Sequence, residues 1–506
     1  MKRKACWAVF LTFVMLVTSF HPGALAATPS QINTAAGKAV AYLHSRYESG
    51  KEAAIDDWSL IGLVLSGEAL PSAKWGDRSK WQAELKRRLQ TLDPRKTTDY
   101  ARFVLTVLAL GEDPANVGGE NMIARLKKAQ LANGKFADRI DGQGQSLINA
   151  HVWSLIALYA AGEQIPRAKQ AKAWLVSKQL PDGGYQFATD GRTGGIDMTA
   201  MTLVAFKALG MGKEEQPVKK ALDFLRKAQT ANGGYQEGGI PNAESAATVI
   251  SALLAWGEQP ENWKKGAGSV TDNLLGFQTA AGAFAHTRGG SANQIATAQA
   301  LLALSDLKRG GAYLTFLREK SGARKVARLA DLPPSYWAYA EMAYLVKNGY
   351  MQGMTSTLMQ PESRVTRAQF AALLLRILGE EPNTRAQGLF RDVSATDWTA
   401  PIVEKAAALG LMQGSGGRFR PHEGITQEEM ATIVSRVLKR YGWNKTFPGP
   451  GVSVNGKTVS PWAKASVEDL QRRRLLGGTA TKQFTAKAAV TRAEAAVMFY
   501  RMLHVR

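Results

Sequence analysis

Four carboxylates recur at one kind of place in the first 326 residues. Asp57, Asp99, Asp197 and Glu244 each lie at the start of an Ala/Leu-rich segment, and Tyr100 and His151 lie at such starts too. Two carboxyl groups placed across one glycosidic bond hydrolyse a sugar. A Tyr or His base beside a charge neutraliser would serve a polysaccharide lyase. The same residue types are what a helix start selects, because they accept from free N–H groups and suit the positive end of the helix dipole. Capping is therefore the competing account of each carboxylate, and a packed imidazole that of His151. Trp58, Tyr100, Trp153 and Phe206 lie in the same segments. They would line a pocket for an isoprenoid, a lipid or another hydrophobic ligand, or simply fill it.

The elements that place these residues are repeats. Gln130, Gln179, Gln229 and Gln278 lie 49, 50 and 49 apart, and each opens a turn. The turns run to Gly134 and Phe136, Gly183 and Tyr185, Gly233 and Tyr235, and Gly282 and Phe284. Asn-Gly and Asp-Gly pairs end the preceding helix with φ > 0 residues. Six Ala/Leu-rich helices are expected at 57–67, 99–111, 149–162, 197–210, 244–257 and 293–305. They are apolar around most of their circumference, so both sides are buried. The helices between them, such as 77–92 and 217–228, are amphipathic and basic. Six pairs of one outer and one inner helix can close into a ring, which brings the helix-start carboxylates to one mouth.

The Gln-turn-aromatic motifs and alternating helices resemble the prenyltransferase and squalene-cyclase repeat family, over about residues 30–326. That resemblance implies an all-α, α6/α6 toroid of the terpenoid cyclase and protein prenyltransferase kind. It does not fix an activity, because toroids host many functions. A zinc prenyltransferase needs Asp, Cys and His on its metal, and the only cysteine is Cys6. A class II cyclase needs an Asp cluster to protonate an alkene, whereas the segment at Asp197 has one Asp. The Cys-Gly-Glu-Gln of a thioester domain is absent, and no β-rich segment accompanies the ring as in cobalamin carriers. A tethered polysaccharide lyase or hydrolase, or a cyclase-like enzyme, remains the alternative to a binding domain.

A second repeat follows the basic stretch 318–328. Trp337, Trp398 and Trp462 are 61 and 64 apart. The segments at Val365-Thr366-Arg367, Ile425-Thr426-Gln427 and Val490-Thr491-Arg492 are 60 and 65 apart. Each Thr stands three residues before Gln369, Glu429 or Glu494, the pattern of a capping box. A Gly-containing turn precedes each box, and Phe390-Arg391-Asp392-Val393 opens the second unit. The pattern is similar to three S-layer homology modules, at 327–380, 386–443 and 449–506. The resemblance implies a pseudo-threefold helical unit that binds an anionic secondary cell-wall polymer with a pyruvylated end sugar. Arg367 and Arg492 match the family's ligand-binding arginine, whose fork pairs bidentately with a carboxylate. Trp337, Trp398 and Trp462 match its tryptophan. Asp392 matches its acidic residue, and Asp331 does so loosely. Gln427 replaces the second arginine, and the third unit has Val452–Lys457 in place of the opening motif. Two of the three grooves are therefore expected to bind well.

The chain begins with a basic Lys2-Arg3-Lys4, an uncharged apolar run at 7–20 and a small-residue site at Ala24-Leu25-Ala26, which reads as a secretory signal over 1–26. The run is short for a membrane span, and no later stretch is long and apolar enough. The charge of +22, from 64 basic and 42 acidic residues, is spread along the chain. Such a field suits a polyanionic wall glycan. No nucleic-acid-binding signature is present. No metal or cofactor is expected, and the secreted chain is placed at the wall of a Gram-positive-type bacterium.

Overall fold

Apolar helices recur in the first part of the chain, and they meet one another rather than solvent. The computed structural model describes residues 27–50, 55–266, 268–383, 385–477 and 483–506. The signal read at 1–26 lies outside the described residues. Six outer helices, α1 (Pro29–Glu48), α3 (Arg78–Gln90), α5 (Met122–Lys128), α7 (Ala168–Val176), α9 (Gln216–Ala228) and α11 (Val270–Leu275), alternate with six inner ones. The inner helices are α2 (Asp57–Ser66), α4 (Thr97–Ala109), α6 (Ile148–Ala160), α8 (Ile196–Ala208), α10 (Ala243–Ala255) and α12 (Gln294–Arg309). Each inner helix packs on the next, and α12 returns to α2, so the ring is closed.

The recurring glutamines are the clamps of this ring. Gln130 Nε2 donates to Gly134 O of its own turn and to Pro166 O at the next outer helix. Gln179 and Gln229 repeat the pair on Pro217 O and Trp263 O. Gln278 reaches Ala35 O of α1, 2.8 Å away, which ties the last repeat to the first. The turn glycines have φ of +79° to +91°. A Cβ on Gly183 would also stand 2.5 Å from Lys220 O, so this turn has no room for a side chain.

Most of the basic stretch 318–328 lies in a helix, α13 (Tyr313–Ala327), packed on α4 and α6. It lies across their C-terminal ends. Arg318 donates to Tyr159 O, Arg324 to Leu108 O, and Ser321 to Ala161 O. Cations are favoured where helix carbonyls end, which explains why this helix is basic. It closes one end of the ring and leaves the other free.

The C-terminal modules pair a short with a longer helix: α14 (Tyr339–Lys347) with α15 (Arg367–Leu378), α16 (Ala400–Ala408) with α17 (Gln427–Tyr441), and α18 (Pro461–Arg472) with α19 (Arg492–His504). All three expected capping boxes form. Three backbone bonds close a triangle: Val365 N to Val490 O, Val490 N to Ile425 O, and Ile425 N to Val365 O, at 2.8–3.0 Å. The third module's divergent opening forms strand β5 (Ser453–Val454), parallel to β6 (Gln483–Phe484), after two hairpins in the ring, β1 (Gln236–Glu237) with β2 (Ile240–Pro241) and β3 (Lys264–Lys265) with β4 (Gly268–Ser269).

Candidate functional site

The free mouth of the ring is drawn by what the inner helices leave unburied. In α10 only Glu244 and Thr248 are not buried; in α8 they are Asp197, Met201 and Lys207; in α6, Asn149, Trp153 and Tyr159. Residues four apart share a helix face. Asn149, Asp197 and Glu244 therefore stand one turn above Trp153, Met201 and Thr248, which line the central cavity with Trp58 and Gln299. That cavity holds about 50 Å³, room for about three to five water-sized groups. Trp58 and Trp153 meet at 4.9 Å between ring centres. Tyr100 and Phe206, also expected to line the centre, are buried away from it, and Phe206 packs edge-on against Tyr185.

The mouth carboxylates divide into two groups. Asp57 is paired with Arg88 and with Arg102, whose Nη2 also holds Asp99 at 2.9 Å. Among the described residues, no ion pair forms at Asp197. Burial pushes its carboxyl up to about 6, with Glu237 and Glu244 adding to the rise and Ser245 and His286 opposing it. Glu237 accepts from Ile196 N at 2.6 Å, and Glu244 pairs with His286 at 2.9 Å. The structure thus brings Asp197 and Glu244 to one face. His151 is elsewhere. It is fully buried, its Nδ1 accepts from Phe136 N and its Nε2 faces Ala171 O, and burial pushes it down to about 3. Thr199 and Thr297 accept from Tyr185 N and Phe284 N in the same way, so the imidazole fills a structural place in the repeat. Deeper in the ring, burial pushes Asp306 up to about 7 despite Arg309 at 2.7 Å.

In the C-terminal unit, each module's second helix begins against the next module's loop. Arg367 is 4% exposed. It donates to Phe419 O and Gln413 O and pairs with Glu429 at 2.8 Å. Gln427 bonds Thr485 N and Glu494 in the next groove. Arg492 closes the cycle on Met359 O and Gln352 O of the first module. No carboxylate of the described residues pairs with Arg492, which is half-buried. Asp392 and Asp331 each accept two backbone N–H groups, from Phe419 and Arg420 and from Met359 and Gln360. They shape loops. Trp398 and Trp462 are 59% and 58% exposed, whereas Trp337 is half-buried beside Tyr336.

Two further sets went unread in the sequence. Arg376, Arg436 and Arg501 each stand nine residues into the second helix and donate to Tyr350 O, Leu411 O and Leu476 O. That fixed offset was the signal. The groove position three before Val365, Ile425 or Val490 differs in every copy. Glu362 meets Tyr336, His422 meets Asp397 at 3.6 Å, and Lys487 meets Glu428 at 2.7 Å.

Comparison with known proteins matches residues 79–259 to the prenyltransferase alpha-alpha toroid domain, and residues 328–371, 389–431 and 456–496 to the S-layer homology domain. An amylopullulanase of Thermoanaerobacterium thermosulfurigenes is 33% identical over 168 residues, covering 33% of this chain and 9% of that protein. A cellulosome-anchoring protein of Acetivibrio thermocellus is 27% identical over 159 residues, covering 30% and 35%. An S-layer protein of Bacillus thuringiensis is 26% identical over 166 residues, covering 33% and 20%. The chain thus spans only a minor part of these relatives' length. A type II terpene cyclase from Scytonema aligns at 14% identity and TM-score 0.43, over 56% of this chain and 100% of that one.

Proposed function

Because the chain joins a prenyltransferase alpha-alpha toroid domain to three S-layer homology domains, we propose that it is a cell-surface protein, held on an anionic cell-wall glycan by its C-terminal modules and displaying the ring outward. The observation that carries this reading is Arg492. A half-buried guanidinium without a carboxylate partner is costly to keep, and an incoming carboxylate would complete it. In the first module, Trp337 beside Tyr336 offers a ring face for a sugar. Arg367 is already neutralised by Glu429, and Gln427 carries no charge, so the groove between the third and first modules is the leading one.

The test is co-sedimentation of the full chain with purified cell-wall sacculi. Binding is expected, with loss when the anionic secondary polymer is stripped. Arg492→Gln should weaken it about tenfold, since a charged hydrogen-bond pair contributes about 1.5–3 kcal/mol, and Arg367→Gln should weaken it less. Equal sedimentation of stripped and intact sacculi would sink the proposal.

A second reading, a tethered hydrolase, draws on the raised carboxyl of Asp197 beside Glu244. It requires release of sugar from wall glycan that disappears in Asp197→Asn. A cyclase reading has less support, since a cavity of about 50 Å³ is far below the roughly 300 Å³ at which ligand pockets begin.

A further inference from the structure

From the seam where the ring meets the first C-terminal module, we infer that a cavity there binds a phosphate monoester, held by Lys207, Arg318 and Arg376. Arg492 is not among its lining residues, so this site stands apart from the wall-binding groove.

The cavity holds about 530 Å³. That lies within the roughly 300–1,000 Å³ of ligand pockets, which favour domain boundaries. Both units build it. Lys207 comes from α8 of the ring and Arg318 from α13, while Arg376 comes from α15 of the first module. The charge of the lining is one-sided. Glu163 is its one carboxylate side chain, and Lys127 and Lys325 already hold it, each at 2.6 Å. Among the described residues, no carboxylate pairs with the three cations. Like charges gathered in a partly closed space repel one another, and an anion between them would offset this.

Helix-end carbonyls account for only part of the arrangement. Arg318 donates to Tyr159 O at 2.8 Å and to Asn348 O at 3.4 Å, and Arg376 donates to Tyr350 O at 3.0 Å. Lys207 lies in the last turn of α8, where the helix dipole favours a cation. Yet its half-buried ammonium, with three donors, forms no hydrogen bond among the described residues and only faces the ring of Trp256 at 5.2 Å. Asn348 and Tyr350, which receive the two arginines, are two apart on one loop, so about 7 Å at most separates them along the chain. One guanidinium fork from each side of the seam therefore reaches the same place. Such a fork pairs bidentately with phosphate. The three free oxygens of a monoester can meet three cations at once, whereas a carboxylate has two. The side-chain amides of Gln164 and Asn348 also line the cavity, which suits a hydroxylated alcohol part. Burial pulls the Arg318 guanidinium below its ordinary value, and a bound anion would reverse that.

The experiment is calorimetric titration of the full chain at pH 7.5, where a phosphate monoester carries close to two charges. The probes are glycerol 3-phosphate, the diester bis-glycerol phosphate, and glycerol. Glycerol 3-phosphate is expected to bind once per chain, more weakly as salt is raised, and at least about tenfold tighter than the diester. Glycerol should give no heat of binding. Lys207→Gln should weaken binding about tenfold, and Arg376→Gln provides a second variant, on the other side of the seam, should the first unfold. Lys264→Gln, which removes an exposed cation of β3, should leave the isotherm unchanged. A loss as large in Lys264→Gln as in Lys207→Gln would mean diffuse attraction to a basic chain and would overturn the site. So would undiminished binding in both Lys207→Gln and Arg376→Gln. Diester or glycerol binding as tightly as glycerol 3-phosphate would overturn the monoester.

Discussion

Three ring repeats need a hydrogen-bond acceptor at the same point, and two residue types supply it. The N–H of the turn aromatic is received by His151, Thr199 and Thr297. The equivalence was hidden in the sequence because the partners lie 15, 14 and 13 residues apart, as loop lengths drift between turn and helix. His151→Thr should therefore fold, while His151→Leu leaves Phe136 N–H buried and unpaired, costing about 1–3 kcal/mol in urea unfolding. The carboxylates were read correctly as helix-start residues. What the sequence did not reveal is that Arg88 and Arg102 neutralise Asp57, since those partners come from other helices, whereas Arg102 meets Asp99 three residues away in its own helix; among the described residues no Lys or Arg pairs with Asp197. Asp197 yields a pH prediction. Its folded carboxyl lies about 2 units above the ordinary value of 3.8, so between about pH 4 and 6 the folded state holds more proton than the unfolded one. Stability from this group is present at pH 4 and is lost as pH rises through 6, by on the order of 3 kcal/mol at most. Relative to Asp197→Asn, the wild-type chain should lose melting temperature over that window; a constant difference would contradict the assignment.

Helices and turns were more legible than the contacts that hold them in a ring. The spacing of Gln130, Gln179, Gln229 and Gln278 marked the repeat, and the structure gives each one bond at home and one on the following repeat. The second bond was unreadable because it depends on which outer helix comes alongside. Helix α13 illustrates the same limit. Its basic residues carried no assigned role in the sequence, and two inner-helix ends turn out to receive this helix: Arg324 donates to Leu108 O of α4, and Arg318 and Ser321 donate to Tyr159 O and Ala161 O at the end of α6. Gln278 has a special position, since its bond to Ala35 O joins last repeat to first. Gln278→Ala should cost about 1–3 kcal/mol and speed amide exchange most in α1 and α11. Gln179→Ala should cost a similar amount with exchange raised around α9 instead, so the two exchange maps distinguish a seam from an ordinary joint.

At the scale of the whole molecule, the three C-terminal modules are one folding unit rather than beads on a string. Each supplies the loop that caps its neighbour's second helix. Arg367 N and Ala368 N bond Glu423 O and Pro421 O, Gln427 N and Glu428 N bond Ala488 O and Ala486 O, and Arg492 N and Ala493 N bond Ser363 O and Pro361 O. First N–H groups of a helix need outside partners, so a missing module leaves one helix uncapped and opens the Val365–Ile425–Val490 triangle. Phe370 would also lose Phe499, 4.8 Å away in the shared core. The ring does not replace these contacts, because its ties to the unit, such as Gln164 to Asn348 O and Lys169 to Glu380, supply none of these helix caps. Stopping the chain after residue 448 should therefore do more than remove one groove. The remaining modules should unfold at a lower urea concentration than the ring, in a separate transition, and α17 should become susceptible to protease first, since its N–H groups lose Ala486 and Ala488. The intact chain should show the three modules unfolding together. If the shortened chain keeps modules one and two as resistant as before, the cyclic hand-over of caps is not what holds the unit, and each module must be stable by itself.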